Sequence, residues 1–232
     1  MRRGHGRCGR LAAAVALCAA IAACDTSVGP EEGPTLVRFV NATPDAVGPL
    51  RFVLTGGPSA VLQRGDESGY SEITPRVYPT TIEDDASTWF ITGELRIIQG
   101  IFQTVYAFGD ASAEAAVLVG DEPARPAEGQ SLLRVLHLAG GVAGAADVHI
   151  LSVGEAVDPG STDRVAGMVF PSERDYFFVD AGTHRIVLTA AGTANVLIDS
   201  GPLDFTSRGA YTAVFLNDNA DAPELIRLRD GA

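Results

Sequence analysis

Short apolar runs recur along the chain from Thr35 to Leu228, and Gly, Pro, Asp and Asn separate them. The runs are five to eight residues long and rich in β-branched and aromatic side chains, which is typical of strands. Only residues 111–118, ASAEAAVL, offer a short helix as an alternative. The pattern predicts an all-β chain with strands at TLVRFVN (35–41), LRFVLT (50–55), TWFIT (88–92), QTVYAF (103–108), SLLRVLHL (131–138), ADVHIL (146–151), YFFVD (176–180), HRIVLT (184–189), ANVLID (194–199), AYTAVFL (210–216) and ELIRL (224–228).

Two of these segments occur twice. TLVRFVNATPD at 35–45 parallels SLLRVLHLAGG at 131–141, and QTVYAFGD at 103–110 parallels YTAVFLND at 211–218. The copies lie about 96 residues apart at the first pair and 108 at the second, which indicates a repeat with unequal insertions.

The repeat predicts two tandem antiparallel β-sandwich, immunoglobulin-like domains, at 35–121 and 131–232. Between them, EPARPAEGQ at 122–130 has the proline-rich, polar composition of a linker. Because residues 131–232 hold a full complement of strands, this fragment is predicted to fold alone.

The first 23 residues have the features of a secretion signal. Four arginines and no acidic residue precede an uncharged stretch, Leu11–Ala23, which is too short to span a bilayer as a helix. The stretch ends in Ile21-Ala22-Ala23-Cys24, a sequence similar to the bacterial lipobox, in which the cysteine receives the lipid. The alternative is an ordinary signal peptide with an incidental cysteine.

The chain is therefore expected to be a lipoprotein on the extracytoplasmic side of the cell envelope, bound to the membrane through lipid on Cys24. Several acyl chains at one residue anchor a protein stably. Residues 24–34 comprise the lipidated cysteine and a flexible tether, since DTSVGPEEGP is polar and broken by two prolines.

Composition excludes several chemistries. Cys8 and Cys18 lie within the predicted signal, so the mature chain would keep only Cys24 and could form no internal disulfide or cysteine-type zinc site. The chain contains no lysine, which rules out a Schiff-base or P-loop lysine. The mature part would carry 13 basic and 29 acidic side chains, which argues against nucleic acid as a partner.

Three histidines, His137, His149 and His184, lie on predicted strands of the second copy. A metal site of two or three histidines is one interpretation, and half-buried structural histidines are the preferred one. No metal ligand and no cofactor is assigned. The sequence contains no G-x-S-x-G motif, and no catalytic residue is assigned either.

Acidic segments and aromatic residues offer two further interpretations. Residues 83–85 (Glu-Asp-Asp) and 217–221 (Asn-Asp-Asn-Ala-Asp) gather oxygen ligands of the kind that calcium prefers, although such clusters are usually turns. In the first copy, an exposed platform for sugar rings is conceivable, with buried strand aromatics as the alternative; the residues concerned are Tyr70, Tyr78, Trp89, Phe102 and Tyr106.

The repeats resemble a known family, the domain of unknown function 4397, which occurs in tandem in bacterial lipoproteins and secreted proteins. LVRFVNATPDA and LLRVLHLAGG are similar to its opening strand, and FFVDAGTHRIVLTAAGT is similar to a later turn and strand. The first copy departs from the pattern at GYSEITPRVYPTTIEDDAS and at ITGELRIIQGIF. The resemblance implies envelope location and a sandwich-like fold, and it supplies no catalytic residues.

The sequence thus favours a non-catalytic envelope lipoprotein whose tandem sandwiches act as a spacer or a protein-interaction module. The alternative is a carbohydrate- or calcium-binding module of an envelope adhesin or enzyme system, with a protein or glycan partner.

Overall fold

A computed structural model of the chain describes residues 33–44, 47–86, 89–109, 113–217 and 223–231. The predicted signal peptide, Cys24 and nearly all of the tether lie outside the described residues. No α-helix occurs in the described part, and none of it could cross a bilayer as a helix. The prediction of an all-β chain is confirmed, and residues 115–118 of the one segment that could have been a helix form a strand.

Each copy folds into eight strands in two four-stranded sheets. In the first copy, one sheet has the order β4-β1-β7-β8 and the other β3-β2-β5-β6. The strands are β1 (Leu36–Asn41), β2 (Leu50–Leu54), β3 (Ser59–Leu62), β4 (Ser71–Glu72), β5 (Val77–Asp84), β6 (Phe90–Arg96), β7 (Phe102–Phe108) and β8 (Ala115–Gly120).

The second copy repeats this topology strand for strand. Its sheets have the orders β12-β9-β15-β16 and β11-β10-β13-β14. The strands are β9 (Gln130–His137), β10 (Ala146–Ser152), β11 (Val165–Met168), β12 (Ser172–Asp180), β13 (Gly182–Ala190), β14 (Val196–Phe205), β15 (Ala210–Asn217) and β16 (Pro223–Arg229). Two tandem β-sandwiches are therefore confirmed, and the segments that depart from the family pattern form the same strands in the first copy.

Strand pairing differs from the prediction at one pair in each domain. β1 pairs with β7 in parallel, and β9 pairs with β15 in parallel, while every other strand pair in the described residues is antiparallel. A parallel pair requires a long crossover connection. The chain supplies it with the five strands that lie between them in sequence, four of which build the other sheet, so the first and seventh strands of each domain lie side by side.

The four sheets stack as layers, with the β1 and β9 sheets on the inside. Each domain has its own apolar core between its two sheets. Phe39 and Phe52 stack in the first core with ring centres 5.3 Å apart, and Val135 and Leu188 belong to the second. A third core joins the two inner sheets and includes Val40, Tyr106 and Leu136.

The third core explains why β1, β7, β9 and β15 are buried along almost their whole length, whereas β2 alternates. Strands buried on both faces read as continuous apolar runs, and strands buried on one face alternate. Between β8 and β9 no strand is present.

Candidate functional site

In each domain, one arginine interrupts the apolar run of the opening strand. Arg38 on β1 and Arg134 on β9 occupy the same position in LVRFV and LLRVL, and both side chains are only 1% exposed. Because residues alternate between the faces of a strand, both arginines point away from their own domain core. They meet in the interface between the two inner sheets, beside the third core.

Arg38 binds residues of both domains. Its Nε donates to Thr104 Oγ1 at 3.0 Å, and one Nη donates to Asp230 Oδ1 of the second domain at 2.7 Å. The other Nη donates to the carbonyl of Arg229 and to Glu67 Oε2, both at 2.9 Å. All three nitrogens of the guanidinium are thereby used.

Arg134 repeats this arrangement with the domains exchanged. Its Nε donates to Thr212 Oγ1 at 3.0 Å, and one Nη donates to the carbonyl of Gly120 in the first domain at 2.8 Å. The other Nη donates to Asp121 Oδ1, which also belongs to the first domain. Each domain therefore presents one arginine to, and receives one arginine from, its neighbour.

Each aspartate is held in place by its own domain. Asp121 accepts hydrogen bonds from Tyr70 Oη at 2.7 Å and from the Thr104 hydroxyl. Asp230 accepts from Tyr176 Oη at 2.7 Å and from Thr212 Oγ1 at 2.5 Å. The contacts are reciprocal, as in an isologous interface between two identical subunits.

The two tyrosines also stack on the arginines. The guanidinium carbon of Arg38 lies 4.5 Å from the ring centre of Tyr70, and that of Arg134 lies 4.8 Å from the ring centre of Tyr176. Such cation–π contacts are strongest when both groups are withdrawn from water. Hydrogen bonds thus fix each guanidinium in its plane, and a tyrosine ring covers one of its faces.

The network is electrically balanced at its centre, with two buried arginines against two buried aspartates. Burial alone would lower the pKa of Arg134, but the negative charges of Asp121 and Asp230 beside it favour the protonated form and raise that pKa. Arginine therefore stays charged here. A buried ion pair contributes little net stability, because desolvation offsets attraction, and its better-attested effect is to fix one arrangement of the parts. The arrangement fixed here is the pairing of the two domains.

The sequence analysis did not identify these residues as a site. A signal was present, since a single arginine stood in the middle of an apolar run in both copies. Their partners Asp121 and Asp230 close the equivalent segments AAVLVGD and ELIRLRD. Comparing the copies position by position would have found all four residues.

The three histidines lie in separate environments. His137 is fully buried with neither ring nitrogen bonded to the protein, and His149 is buried beside Thr189 Oγ1 at 3.2 Å. His184 donates from its Nε2 to the Asp180 carbonyl at 2.9 Å. Within the described ranges no three His, Cys, Asp or Glu side chains are close enough to hold a metal ion.

The burial of His137 predicts that the free energy of unfolding falls in acid. Burial lowers its pKa, so on acidification the unfolded chain binds a proton near pH 6.5 before the folded chain does. The free energy of unfolding should fall below that pH by up to about 1.4 kcal/mol per pH unit until the folded pKa is reached. We expect His137→Leu to remove this contribution, measured as the difference from the parent in urea unfolding at pH 7.5 and 5.

His184→Gln is the control for that prediction, since His184 is partly exposed and has a carbonyl partner. The interpretation of His137 is wrong if the parent and His137→Leu lose the same free energy between the two pH values.

The acidic segment at 83–85 has a structural use. The carboxylate of Asp84 is buried and accepts a hydrogen bond from the backbone N–H of Trp89 at 3.2 Å. Of the second acidic segment only Asn217 is described, and it is buried at the end of β15; residues 218–221 lie outside the described residues.

The five aromatic residues that the sequence offers for an exposed platform do not form one in the described structure. Tyr78, Trp89 and Tyr106 are buried, and Tyr70 and Phe102 pack against each other with ring centres 5.4 Å apart while Tyr70 serves the arginine network. Most of these aromatic residues pack in the cores, and Tyr70 contacts the buried arginine and aspartate, because strands place every second side chain on a buried face.

The fold defines this chain as a tandem β-sandwich protein with a charged interface between its domains. No protein-family model matches the chain, and a search of curated proteins gives no match. Weak similarities connect it to solved structures. A leucine-rich repeat protein from Bacteroides thetaiotaomicron is 13% identical over 77% of this chain and 25% of its own, with a TM-score of 0.21. This chain therefore spans about a quarter of that protein.

Two further structures match along most of their own length. A candidate cell adhesion protein from Bacteroides eggerthii is 9% identical over 85% of this chain and 96% of its own, with a TM-score of 0.23. The family 26 carbohydrate-binding module of Eubacterium rectale Amy13K, solved with maltoheptaose, is 7% identical over 85% of this chain and 98% of its own, with a TM-score of 0.24. Similarities this weak carry no argument about function.

Proposed function

We propose that the chain is a non-catalytic lipoprotein of the cell envelope whose two β-sandwiches act as one rigid spacer or interaction module. The observation that carries this proposal is the reciprocal binding of Arg38 by Asp230 and of Arg134 by Asp121. If the two domains moved freely about a flexible linker, the motion would separate these charges and leave them buried without partners. Leaving a buried charge unpaired is costly, so buried reciprocal pairs favour a fixed arrangement.

The apolar part of the interface supports the same proposal. Val40, Tyr106 and Phe108 of the first domain pack with Leu136 and Val214 of the second. Interfaces between domains are usually polar and permit relative motion unless they are large and apolar. A shared apolar core beside a paired charge network favours a fixed orientation.

The anchor in this proposal is the lipid on Cys24, supported by the lipobox-like sequence that precedes it. Membership of the domain of unknown function 4397 family is part of the proposal, supported by the repeated opening strands. In this proposal a rigid two-domain body stands at the end of a short tether on the extracytoplasmic side of the membrane.

Spin labelling tests the rigidity. With Cys24→Ser in the background, labels at Val61→Cys in the first domain and Val196→Cys in the second stand on exposed positions. We expect a single narrow distance distribution between them. Val61→Cys with Val77→Cys, both exposed in the first domain, gives the width that one rigid body shows. A much broader distribution between the domains would contradict the proposal, and replacing both arginines by Met should produce such broadening.

A further inference from the structure

The second domain is open along one side of its sandwich. β11 and β12 are the edge strands of its two sheets on that side, and both line one cleft there. β11 pairs with β10 only at Ala146 and Val148, and in the described chain no strand continues that pairing beside residues 149–152. In the first domain, the equivalent strand β3 pairs with β2 along residues 50–53. The second sandwich is therefore one strand short at one end of this side.

β12 borders this opening with a long edge. It has nine residues, whereas its equivalent β4 has two, and within the described residues it pairs only with β9. A cleft of about 430 Å³ lies beside its residues 172–174, and another of about 560 Å³ lies beside its residues 177–180. An unpaired edge is a template on which a further strand can pair, and proteins usually shorten or cover such edges. The second copy instead has a long edge with open space along it.

The backbone of β12 directs hydrogen-bonding groups into the opening. The N–H of Ala181 donates to the carbonyl of Gly129 at 2.8 Å, which continues the ladder between β12 and β9. Because successive residues of an antiparallel strand direct their N–H and C=O groups to opposite sides, those of Phe178 and Asp180 point away from β9. The carbonyl of Asp180 accepts from His184 Nε2, but no hydrogen bond among the described residues uses the N–H of Phe178 or Asp180. These two donors are available to an incoming strand.

Both faces of this edge offer apolar surface to such a strand. Phe178 lies opposite Leu132 of β9, on the face that also carries Arg134, and its side chain is 57% exposed. On the opposite face, Phe177 and Val179 pack against the core of the second domain but are only partly buried. The side chains of an added strand would alternate between the same two faces. One strand would therefore cover Phe178 on one face and the open side of the core on the other.

The charge of β12 favours a basic strand. Three acidic side chains and one arginine are exposed on it: Glu173, Asp175, Asp180 and Arg174. Opposite charges on facing residues of paired strands are stabilising, and like charges are destabilising. The chain's own tether, 25–34, fits poorly because it has three acidic residues and two prolines, and a second copy of β12 would bring the same net negative charge. A partner segment that alternates apolar and basic residues fits best.

We propose that the free edge of β12 binds an extended, basic segment of a partner protein as an added strand of its sheet. The backbone of the segment pairs with Phe178 and Asp180, its apolar side chains pack on Phe177 and Val179, and its basic side chains lie beside Phe178 and Asp180. Main-chain hydrogen bonds supply affinity in this kind of recognition, and alternate side chains supply specificity. The inference rests on the interaction role proposed above but not on the fixed orientation of the domains, which the spin labels test separately.

Calorimetric titration of the whole mature chain carrying Cys24→Ser tests the proposal. The probe is a capped eight-residue peptide that alternates valine with lysine or arginine, and its counterpart has glutamate at every basic position. We expect the basic peptide to bind and the acidic peptide not to bind. In the complex, the backbone N–H groups of Phe178 and Asp180 should become protected from hydrogen exchange, because they would then donate to the peptide.

Phe178→Pro removes the open N–H donor and should weaken the basic peptide by at least about tenfold. Proline is tolerated on an edge strand where the N–H faces solvent, so the melting temperature should change little. Phe178→Val keeps the N–H and should retain most of the affinity, which separates the donor from the ring. Asp180→Asn should weaken binding by about threefold, the size expected for one exposed ion pair.

Val61→Pro is the matched control, because Val61 is exposed on the edge strand β3 of the first domain and its N–H also points away from the neighbouring strand. It should leave the affinity unchanged. The proposal is overturned if the basic peptide does not bind, if the acidic peptide binds equally well, if Phe178→Pro binds like the parent, or if the protection appears at another edge. A mature chain that dimerises alone, and loses the dimer with Phe178→Pro, would show that a second copy occupies the edge instead.

Discussion

Replacing Arg134 with methionine is expected to lower the free energy of unfolding by about 3–5 kcal/mol, the cost of leaving a buried charge without its partner. Methionine keeps much of the side-chain volume but removes the guanidinium. Asp121 would then keep hydrogen bonds only from Tyr70 and Thr104 and a longer ion pair with Arg38 at 3.7 Å, and the carbonyl of Gly120 would lose its partner. Urea unfolding at pH 7.5 measures the change.

Two substitutions separate this effect from a general sensitivity of the chain. Tyr106→Phe removes a hydroxyl that is buried in the same interface without a hydrogen-bond partner, so it should be neutral or slightly stabilising. Glu128→Gln removes one member of an exposed ion pair with Arg208 at 3.6 Å and should cost less than about 1 kcal/mol.

The double variant Arg134→Met with Asp121→Asn checks that the pair acts as a unit. Once the arginine is absent, neutralising the aspartate should recover part of the loss, so the double variant should be less destabilised than the sum of the two single variants. Additive losses would show that Arg134 and Asp121 do not depend on each other, contrary to the geometry.

Replacing Cys24 with serine is expected to transfer the protein completely from the membrane fraction to the soluble extracytoplasmic fraction. A serine hydroxyl is far less nucleophilic than a thiolate and would not accept the lipid. In the proposed lipoprotein the acyl chains supply the anchor, so losing them should abolish membrane binding rather than weaken it. Cell fractionation, with mass spectrometry of the mature amino terminus, measures the outcome.

Cys18→Ser is the matched control, since Cys18 lies in the predicted signal and should be absent from the mature protein. This variant should remain membrane-bound with a lipid on Cys24. A parent protein that begins at another residue, or that carries no lipid at Cys24, would show that the lipobox interpretation is wrong.

The sequence by itself determined the local structure and the repeat. Apolar runs of β-branched residues predicted eleven of the described strands, and the likeness of TLVRFVN to SLLRVLHL predicted two copies of one domain, both of which the structure confirms. The strands β3, β4, β5, β8 and β11 were not predicted. These features depend on neighbours within a few residues or on comparing two stretches of sequence. Even the departures of the first copy from the family pattern did not alter the topology, because the strand periodicity persisted there.

Tertiary structure alone decided how the strands and domains meet. Arg38 and Asp230 are 192 residues apart in sequence, and no local pattern relates them. The parallel pairing of β1 with β7 and the third core between the inner sheets also depend on how distant surfaces fit. Residues 131–232 were predicted to fold alone from their strands, but strand content does not reveal that Arg134 binds Asp121 of the other domain. The partner of a buried charge comes from a distant part of the chain, so only the tertiary structure shows that the charge is paired.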